Sequence, residues 1–410
     1  MIDSTPKMSD ILGVESIFMI IQRLQNLTVQ YSLFLFGPRG SGKSTLLEQL
    51  YPAESSYWIS FLDDETESTY ARNPNHLINV VNGLGSNIKF VVIDEVQKIP
   101  KILDIVHLLI EKYKAKQMFI FTGSSARKLK AGSANLLAGR ALVYNLFPFS
   151  FCELGEQFNQ SDALSWGLLP RVALEKSEIL KRKILTAYAN TYLKEEVWGE
   201  QLVKNLDPFR RFLEVAAQSS GKIINFSKIS ADVGVDDKTV KTYYQILEET
   251  LLGFFLDPFH SSFRKRFSRK PKFYFVDVGI SRALANQLSL VPSPSSSYYG
   301  EIFEHLVIAE IYKLIHTLDL DDKLSYFATA HGVEIDLVVE RPGKKTLLIE
   351  IKSASQPHQL DLKNLKAMSA EFENSEAICL SNCPQTFRSD SVFIYPWREG
   401  LLRLFTTQNG

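Results

Sequence analysis

The sequence predicts an α/β protein of more than one domain. At 410 residues the chain exceeds the size at which a single hydrophobic core stops growing. Short apolar runs alternate with helical stretches over residues 1–150, the pattern of a parallel sheet covered on both faces. A helical middle, 151–262, follows, and a smaller α/β alternation returns over 263–410.

Taken in order, residues 8–30 carry apolar positions at helical spacing, and Ser32-Leu33-Phe34-Leu35-Phe36 then forms a buried strand that ends in glycine. Further strand-like runs lie at 57–62, 89–93, 118–121 and 141–146, and the strand-like stretch 252–258 closes the helical middle. The Pro/Ser segment 291–297 marks a loop. It is followed by a helix over 300–316, a strand pair turning at Arg341-Pro342-Gly343, a helix over 361–372 and a strand near 377–380.

Composition narrows the class. With 45% apolar and 22% charged residues the chain reads as an ordinary soluble globular protein. Forty-six basic residues balance 46 acidic ones, which excludes a global attraction to nucleic acid or anionic lipid, so any such partner must be met locally. Cys152, Cys379 and Cys383 lack zinc spacing and read as buried fillers in a reducing compartment. Ile17 to Ile21 falls far short of the ~20 apolar residues that span a bilayer. A cytoplasmic protein without a membrane partner is expected.

Gly37-Pro38-Arg39-Gly40-Ser41-Gly42-Lys43-Ser44 matches the P-loop pattern and lies between an apolar strand and the helix that Thr45 opens. Its glycines let backbone N–H groups turn toward phosphate oxygens, Lys43 would reach the β- and γ-phosphates, and the Ser44 hydroxyl would ligate Mg²⁺. Phe90-Val91-Val92-Ile93-Asp94-Glu95 supplies the second part. Asp94 would hold the metal, and Glu95 would act as general base on the attacking water. ATP and Mg²⁺ are therefore the expected cofactors. Thr122-Gly123-Ser124-Ser125 ends another strand in hydroxyls, as a polar sensor or as ordinary turn chemistry. Arg140 precedes the last strand of the domain and reads either as an arginine finger toward a neighbouring subunit or as a structural ion pair.

These residues, with Asp94-Glu95-Val96-Gln97-Lys98-Ile99-Pro100, resemble the AAA-type branch of P-loop ATPases, in a bacterial and archaeal subfamily. Its C-terminal half, a domain of unknown function, is recognisable in Lys270-Pro271-Lys272-Phe273-Tyr274-Phe275-Val276-Asp277-Val278-Gly279 and Gly300-Glu301-Ile302-Phe303-Glu304. The resemblance implies ATP hydrolysis in a homo-oligomer with sites at subunit boundaries. No clear arginine of a C-terminal sensor helix is found.

Residues 226–249 read helix, turn, helix, with Ser227 or Asp236 as caps and Gly234 at the turn. In a winged-helix module Lys238, Thr239, Lys241 and Thr242 would face the DNA major groove; a packing hairpin is the alternative. Arg264, Lys265, Arg266, Arg269, Lys270 and Lys272 place six basic residues within nine, either a phosphate-gripping wing or a solvated face. Further on, Val333–Val339 and Thr346–Lys352 read as two strands of a hairpin that brings Asp336 beside Glu350, with Lys352 on the face of Glu350. This set resembles the restriction-endonuclease-like active site, an Asp followed by Glu-x-Lys. The likeness implies that Asp336 and Glu350 hold Mg²⁺, that Lys352 helps position or activate water, and that Glu304 is the family's additional acid. A strand pair with a charged, solvated face is the other reading. The sequence thus points to a DNA-acting ATPase with a nuclease-like tail, or to an ATPase switch whose tail only binds partners.

Overall fold

The structure, a computed structural model, describes residues 21–124, 137, 139–191, 203, 205–259, 270–329 and 332–406. Strands β1 (Ser32–Phe36), β2 (Ser56–Ser60), β3 (Phe90–Asp94), β4 (Met118–Gly123) and β5 (Ala141–Asn145) form one sheet in the order β2-β3-β4-β1-β5. All of its pairings are parallel. Alternation along the strands divides their side chains between two cores: Phe34, Phe36, Val91, Ile93, Phe119 and Phe121 pack in one, and Leu33, Leu35, Val92 and Ile120 in the other. Helix α1 (Lys43–Leu50) buries Leu46 and Leu47 in the second core. Helices α2 (Asp64–Arg72), α3 (His76–Gly83) and α4 (Ile102–Glu111) cover the first core with Tyr70, Leu77, Val81, Val106 and Leu109. Because β4 lies between β1 and β3, Gly123 pairs with Phe36 and Phe121 with Ile93, which brings three carboxyl ends to one edge.

Residues 21–30, read from their spacing as the end of a helix, contain none. Arg23 and Leu24 instead bind Glu153 and hold this segment against distant chain. Only the part of that reading before Ile21 lies outside the described residues.

Short helices α5 (Phe151–Leu154), α6 (Gln160–Trp166), α7 (Pro170–Ala173) and α8 (Glu178–Thr191) come next. The first two share a core with the C-terminal elements, where Phe151, Leu154, Phe158 and Leu164 pack with Phe254, Phe303 and Trp397. Helices α9 (Leu206–Gln218), α10 (Phe226–Val233) and α11 (Asp237–Glu249) are followed by β6 (Gly253–Pro258) and the antiparallel β7 (Lys272–Phe275). Ile223, between α9 and α10, bridges Lys272 antiparallel. Three helices with a short bridge after the first and a hairpin after the third have winged-helix topology. Asn225, rather than Ser227, caps α10 by accepting the Lys228 N–H; Asp236 caps α11 as read, and Gly234 takes the left-handed turn at φ 79°.

Strands β8 (Lys323–Ala328), β9 (Glu334–Glu340), β10 (Thr346–Lys352), β11 (Ser375–Ser381), β12 (Phe387–Ser389) and β13 (Val392–Pro396) complete an eight-stranded sheet, ordered β12-β13-β11-β10-β9-β8-β6-β7. The stretch read as closing the helical middle is therefore a strand of the C-terminal sheet, since Asp257 and Pro258 pair with Ser325 and Tyr326. Between strands lie α12 (Val278–Leu284), the long α13 (Ser297–Thr317) and α14 (Lys363–Glu371), with α15 (Trp397–Leu401) after β13. Among the described residues no helix is long and apolar enough to cross a membrane.

The segment Val276–Gly279 has a structural task that its sequence does not reveal. Buried Asp277 caps α12 at Ile280 and accepts the Leu168 N–H at 2.6 Å. A Cβ on Gly279 would stand 1.9 Å from the Trp166 carbonyl oxygen, so only glycine lets these chains meet.

Candidate functional site

The P-loop turns through two left-handed glycines, Gly40 at φ 74° and Gly42 at φ 94°. Gly37 lies so close to the neighbouring strand that a Cβ would come within 2.2 Å of the Leu146 oxygen. Lys43 folds back over the loop, donating to the carbonyls of Gly37 at 2.7 Å and Pro38 at 3.4 Å. Ser44 and Thr45 stand exposed in the first turn of α1, as do Arg39 and Gly40 on the loop, while Pro38 is buried. The Ser41 hydroxyl is buried with no hydrogen-bond partner among the described residues. Left-handed glycines, a lysine held over them and a spare buried hydroxyl fit a triphosphate.

Across the sheet edge, the Thr122 hydroxyl joins both acids, donating to Asp94 Oδ1 and accepting the Glu95 N–H at 3.3 Å. Ser60 reaches the other Asp94 oxygen at 3.4 Å. Glu95 takes a left-handed backbone, φ 57°, which costs about 1–3 kcal/mol for a residue with a Cβ. Its carboxylate accepts a hydrogen bond from Gln97, which also reaches Ser124 Oγ at 3.5 Å. Thr122 and Ser124 thus join the acids of the site, and Ser125 lies outside the described residues. Gln97 stands in the motif but carries no signal there that sets it apart.

Arg23 escapes the sequence reading altogether. Its guanidinium donates to the Ser41 carbonyl in the P-loop at 2.7 Å, to the Phe147 carbonyl at 2.6 Å and to Glu153 at 2.8 Å, and it lies 4.9 Å above the Phe149 ring. Glu153 in turn completes a capping box with Ser150 at the start of α5. No local motif marks the arginine, because its partners stand 18 to 130 positions away. From the other side, Leu169, Pro170 and Tyr188 come within 3.9 Å of where a Cβ on Gly40 or Gly42 would lie, so α7 and α8 cover the loop.

Arg140 sits at the amino end of β5, opposite the edge that carries the P-loop, since Ala141 pairs with Ser32 at the start of β1. It forms a half-exposed ion pair with Glu111 at 2.6 Å. Within its own chain it does not reach the nucleotide site.

A second cluster forms where the hairpin was expected. The antiparallel register of β9 and β10 runs Val339 to Leu347 and Leu337 to Ile349, which sets Asp336 opposite Glu350. Both carboxylates are buried, at 9% and 7% exposure, so the reading of a solvated, charged face does not hold for them. Asp336 accepts the Ile351 N–H at 2.8 Å, and Lys352 donates to Glu350 Oε1 at 2.6 Å. Glu350 Oε2 is buried and has no partner among the described residues. Glu304, on α13, accepts from the Tyr274 hydroxyl at 2.7 Å.

Burial and mutual repulsion dominate the electrostatics. Desolvation, then the charge of Asp336, pushes Glu350 up to about 8 and Glu304 to about 7. Burial also raises Asp336, although Lys352 opposes it. For Lys352 burial acts downward, but Asp336 and Glu350 outweigh it and raise the ammonium. Among the described residues no three His, Cys, Asp or Glu side chains gather as a metal-holding group. Two facing carboxylates with one spare oxygen still suit a hard cation that keeps most of its ligands as water or phosphate.

Lys272 departs from its reading as part of a phosphate-gripping run. It is buried and pairs with Glu334 at 2.6 Å. Of that run, Lys270 is exposed, and Arg264, Lys265, Arg266 and Arg269 lie outside the described residues. On α11, Lys238 and Lys241 are exposed, while Thr239 is tied to Asp236 at 2.9 Å and Thr242 to the Lys238 carbonyl at 3.0 Å.

Residues 30–155 match a family model described as an AAA domain. The first domain is of the AAA P-loop type. Behind this AAA-type domain, residues 157–290 and 299–399 match models described as domains of unknown function (DUF8612 and DUF4143). An uncharacterized protein of Mycobacterium tuberculosis is 24% identical over 328 residues, 79% of this chain and 71% of the relative. One from Haemophilus influenzae is 23% identical over 342 residues, 77% of this chain and 83% of the relative. A crystal structure of domain III of the Thermotoga maritima replication initiation protein DnaA is 18% identical over 54% of this chain and 85% of its own, with a TM-score of 0.21, too low to bear on function. The AAA match supports an ATPase.

Proposed function

We propose that the chain is an AAA-type ATPase that acts on DNA, with a winged helix for binding it and a metal-dependent phosphodiester-cleaving site in its C-terminal sheet. The facing carboxylates Asp336 and Glu350, with Lys352 beside them and one Glu350 oxygen unpartnered, carry the second half of this reading. In the nucleotide site Lys43 holds the phosphates, Ser44 and Asp94 hold Mg²⁺, and Glu95 takes the proton of the attacking water while Thr122 keeps the two acids in register. In the C-terminal site Asp336 and Glu350 hold the cation, and Lys352 and Glu304 position water or move its proton. Bound Mg²⁺ supplies Lewis-acid stabilisation of charge developing on a phosphodiester.

The test is ATP turnover with and without duplex, single-stranded and branched DNA, scored in parallel for cleavage. Asp336→Ala is expected to abolish Mg²⁺- or Mn²⁺-dependent cleavage and to leave ATP turnover largely unchanged, because the P-loop site holds its own metal. Binding of Mn²⁺ to the full chain should also tighten from pH 6 to pH 8.5, since the raised carboxyls of Glu350 and Asp336 must release protons before they ligate. Cleavage that survives Asp336→Ala defeats the nuclease reading.

Neutralising Arg264, Lys265, Arg266, Arg269 and Lys270 together is expected to weaken DNA binding alike for all sequences. The slope of log affinity against log salt should flatten by about 0.9 for each phosphate that the protein no longer neutralises. An unchanged slope would remove the wing from the interface. A second reading, in which the C-terminal unit only binds partners, is favoured by the lack of a third metal-holding side chain among the described residues. Nucleotide turnover without Asp336-dependent cleavage selects it.

A further inference from the structure

The pairing of the wing with the C-terminal sheet brings two side chains of β7 to the carboxylate site. We propose that Lys272 and Tyr274 are positioning residues of that site and act through Glu304; the inference rests on the phosphodiester-cleaving reading above. Two positions apart on one strand, they leave β7 on the same face. The Tyr274 hydroxyl donates to Glu304 Oε1 at 2.7 Å, and the Lys272 ammonium stands 3.9 Å from the same oxygen and 2.6 Å from Glu334. Tyr274 is fully buried and Lys272 is 4% exposed. An ammonium so desolvated depends on its pairing with carboxylates, and here it also lies 5.3 Å from the centre of the Tyr326 ring. The next residue of the helix, His305, is hydrogen-bonded at 2.7 Å to the carbonyl of Phe275, so strand and helix are pinned together at Glu304 and at the residue after it.

Beside this contact opens a cleft of about 340 Å³, lined by Gly221, Lys222 and Ile223 from the winged-helix side and by Glu301, Glu304 and Glu334 from the other. Glu304 therefore faces a space between two modules, held there by the strand that carries the wing. Its neighbours on that strand fix the carboxylate's rotamer and leave its second oxygen for chemistry.

The experiment measures cleavage of labelled DNA by the full chain with Mg²⁺ or Mn²⁺ for Lys272→Met, Lys272→Arg and Tyr274→Phe, each also in a Glu304→Gln background. Tyr274→Phe keeps the ring and its packing, so it tests the hydroxyl alone. Lys272→Met and Tyr274→Phe are expected to lower kcat by about 10- to 100-fold, the usual effect of losing a group that orients a site residue, with KM for DNA unchanged. Lys272→Arg should recover most of the rate. Neither loss should add to that of Glu304→Gln, because the residues act through it. In metal-free protein, Tyr274→Phe should lower the melting temperature of the wild type and not that of Glu304→Ala. Losses confined to KM, or undiminished in the Glu304→Gln background, overturn the proposal. Asp336-dependent cleavage with wild-type kcat in both variants overturns it alone, whereas cleavage indifferent to Asp336→Ala overturns it together with the parent reading.

Discussion

Replacing Lys43 with alanine is expected to abolish nucleotide binding, while Glu95→Gln retains binding and stops turnover. Lys43 is held over Gly37 and Pro38, where in the proposed reading its ammonium would meet phosphate oxygens. Charge-assisted hydrogen bonds contribute about 1.5–3 kcal/mol each, so losing two costs at least a hundredfold in affinity. Glu95 does different work. It follows β3 on a left-handed backbone and is held by Thr122 at its N–H and by Gln97 at its carboxylate. Glutamine keeps that shape and those hydrogen bonds but cannot take a proton. Turnover should fall by about 10²- to 10⁴-fold, the range of a lost general base. Labelled-ATP binding and phosphate release separate the two effects; equal loss of binding in both variants would refute the assigned roles.

Removing Arg23 is expected to destabilise the protein strongly. Arg23 and Glu153 are 7% and 4% exposed, and the same guanidinium serves the Ser41 and Phe147 carbonyls. Arg23→Met leaves a buried carboxylate and two carbonyls without their cation. Breaking a buried pair in this way costs about 3–5 kcal/mol, a large share of the roughly 5–15 kcal/mol that holds a domain folded. The earliest denaturant transition should shift accordingly, and nucleotide affinity should drop with it because Ser41 loses its anchor. Arg23→Met with Glu153→Met should cost less than the sum of the two single changes. A shift under about 1 kcal/mol, the range of an exposed pair, would mean that the clamp is not buried in solution.

Both predictions concern one loop, yet only one of them could be drawn from the chain as written. The P-loop, the strand before it and the acids at the end of β3 were legible because strand periodicity, glycine spacing and a helix start are all local properties. The same holds for Asp336, Glu350 and Lys352, whose hairpin needs only a short turn and a period of two. Ser227 was a plausible cap beside Asn225, the one used, and boundaries of this kind turn on a residue or two.

By itself, then, the sequence determined the strand periods, the glycine-rich turn before α1, the hairpin register and the helix pair at 226–249. Tertiary structure decided what those parts touch. That strand β6 joins the C-terminal sheet was out of reach of any window over the sequence, because its partner there, β8, lies about 70 positions away. Lys272 looked like one more surface cation in a basic run and became the buried partner of Glu334, although strands β6 and β8 lie between its own strand and the carboxylate pair. Arg23 carried no motif at all and closed the nucleotide loop against α5. Periodicity and turn chemistry depend on neighbours in the chain, whereas a buried charge is settled by whichever opposite charge the folded core brings within about 3 Å, and that choice is not written near either residue.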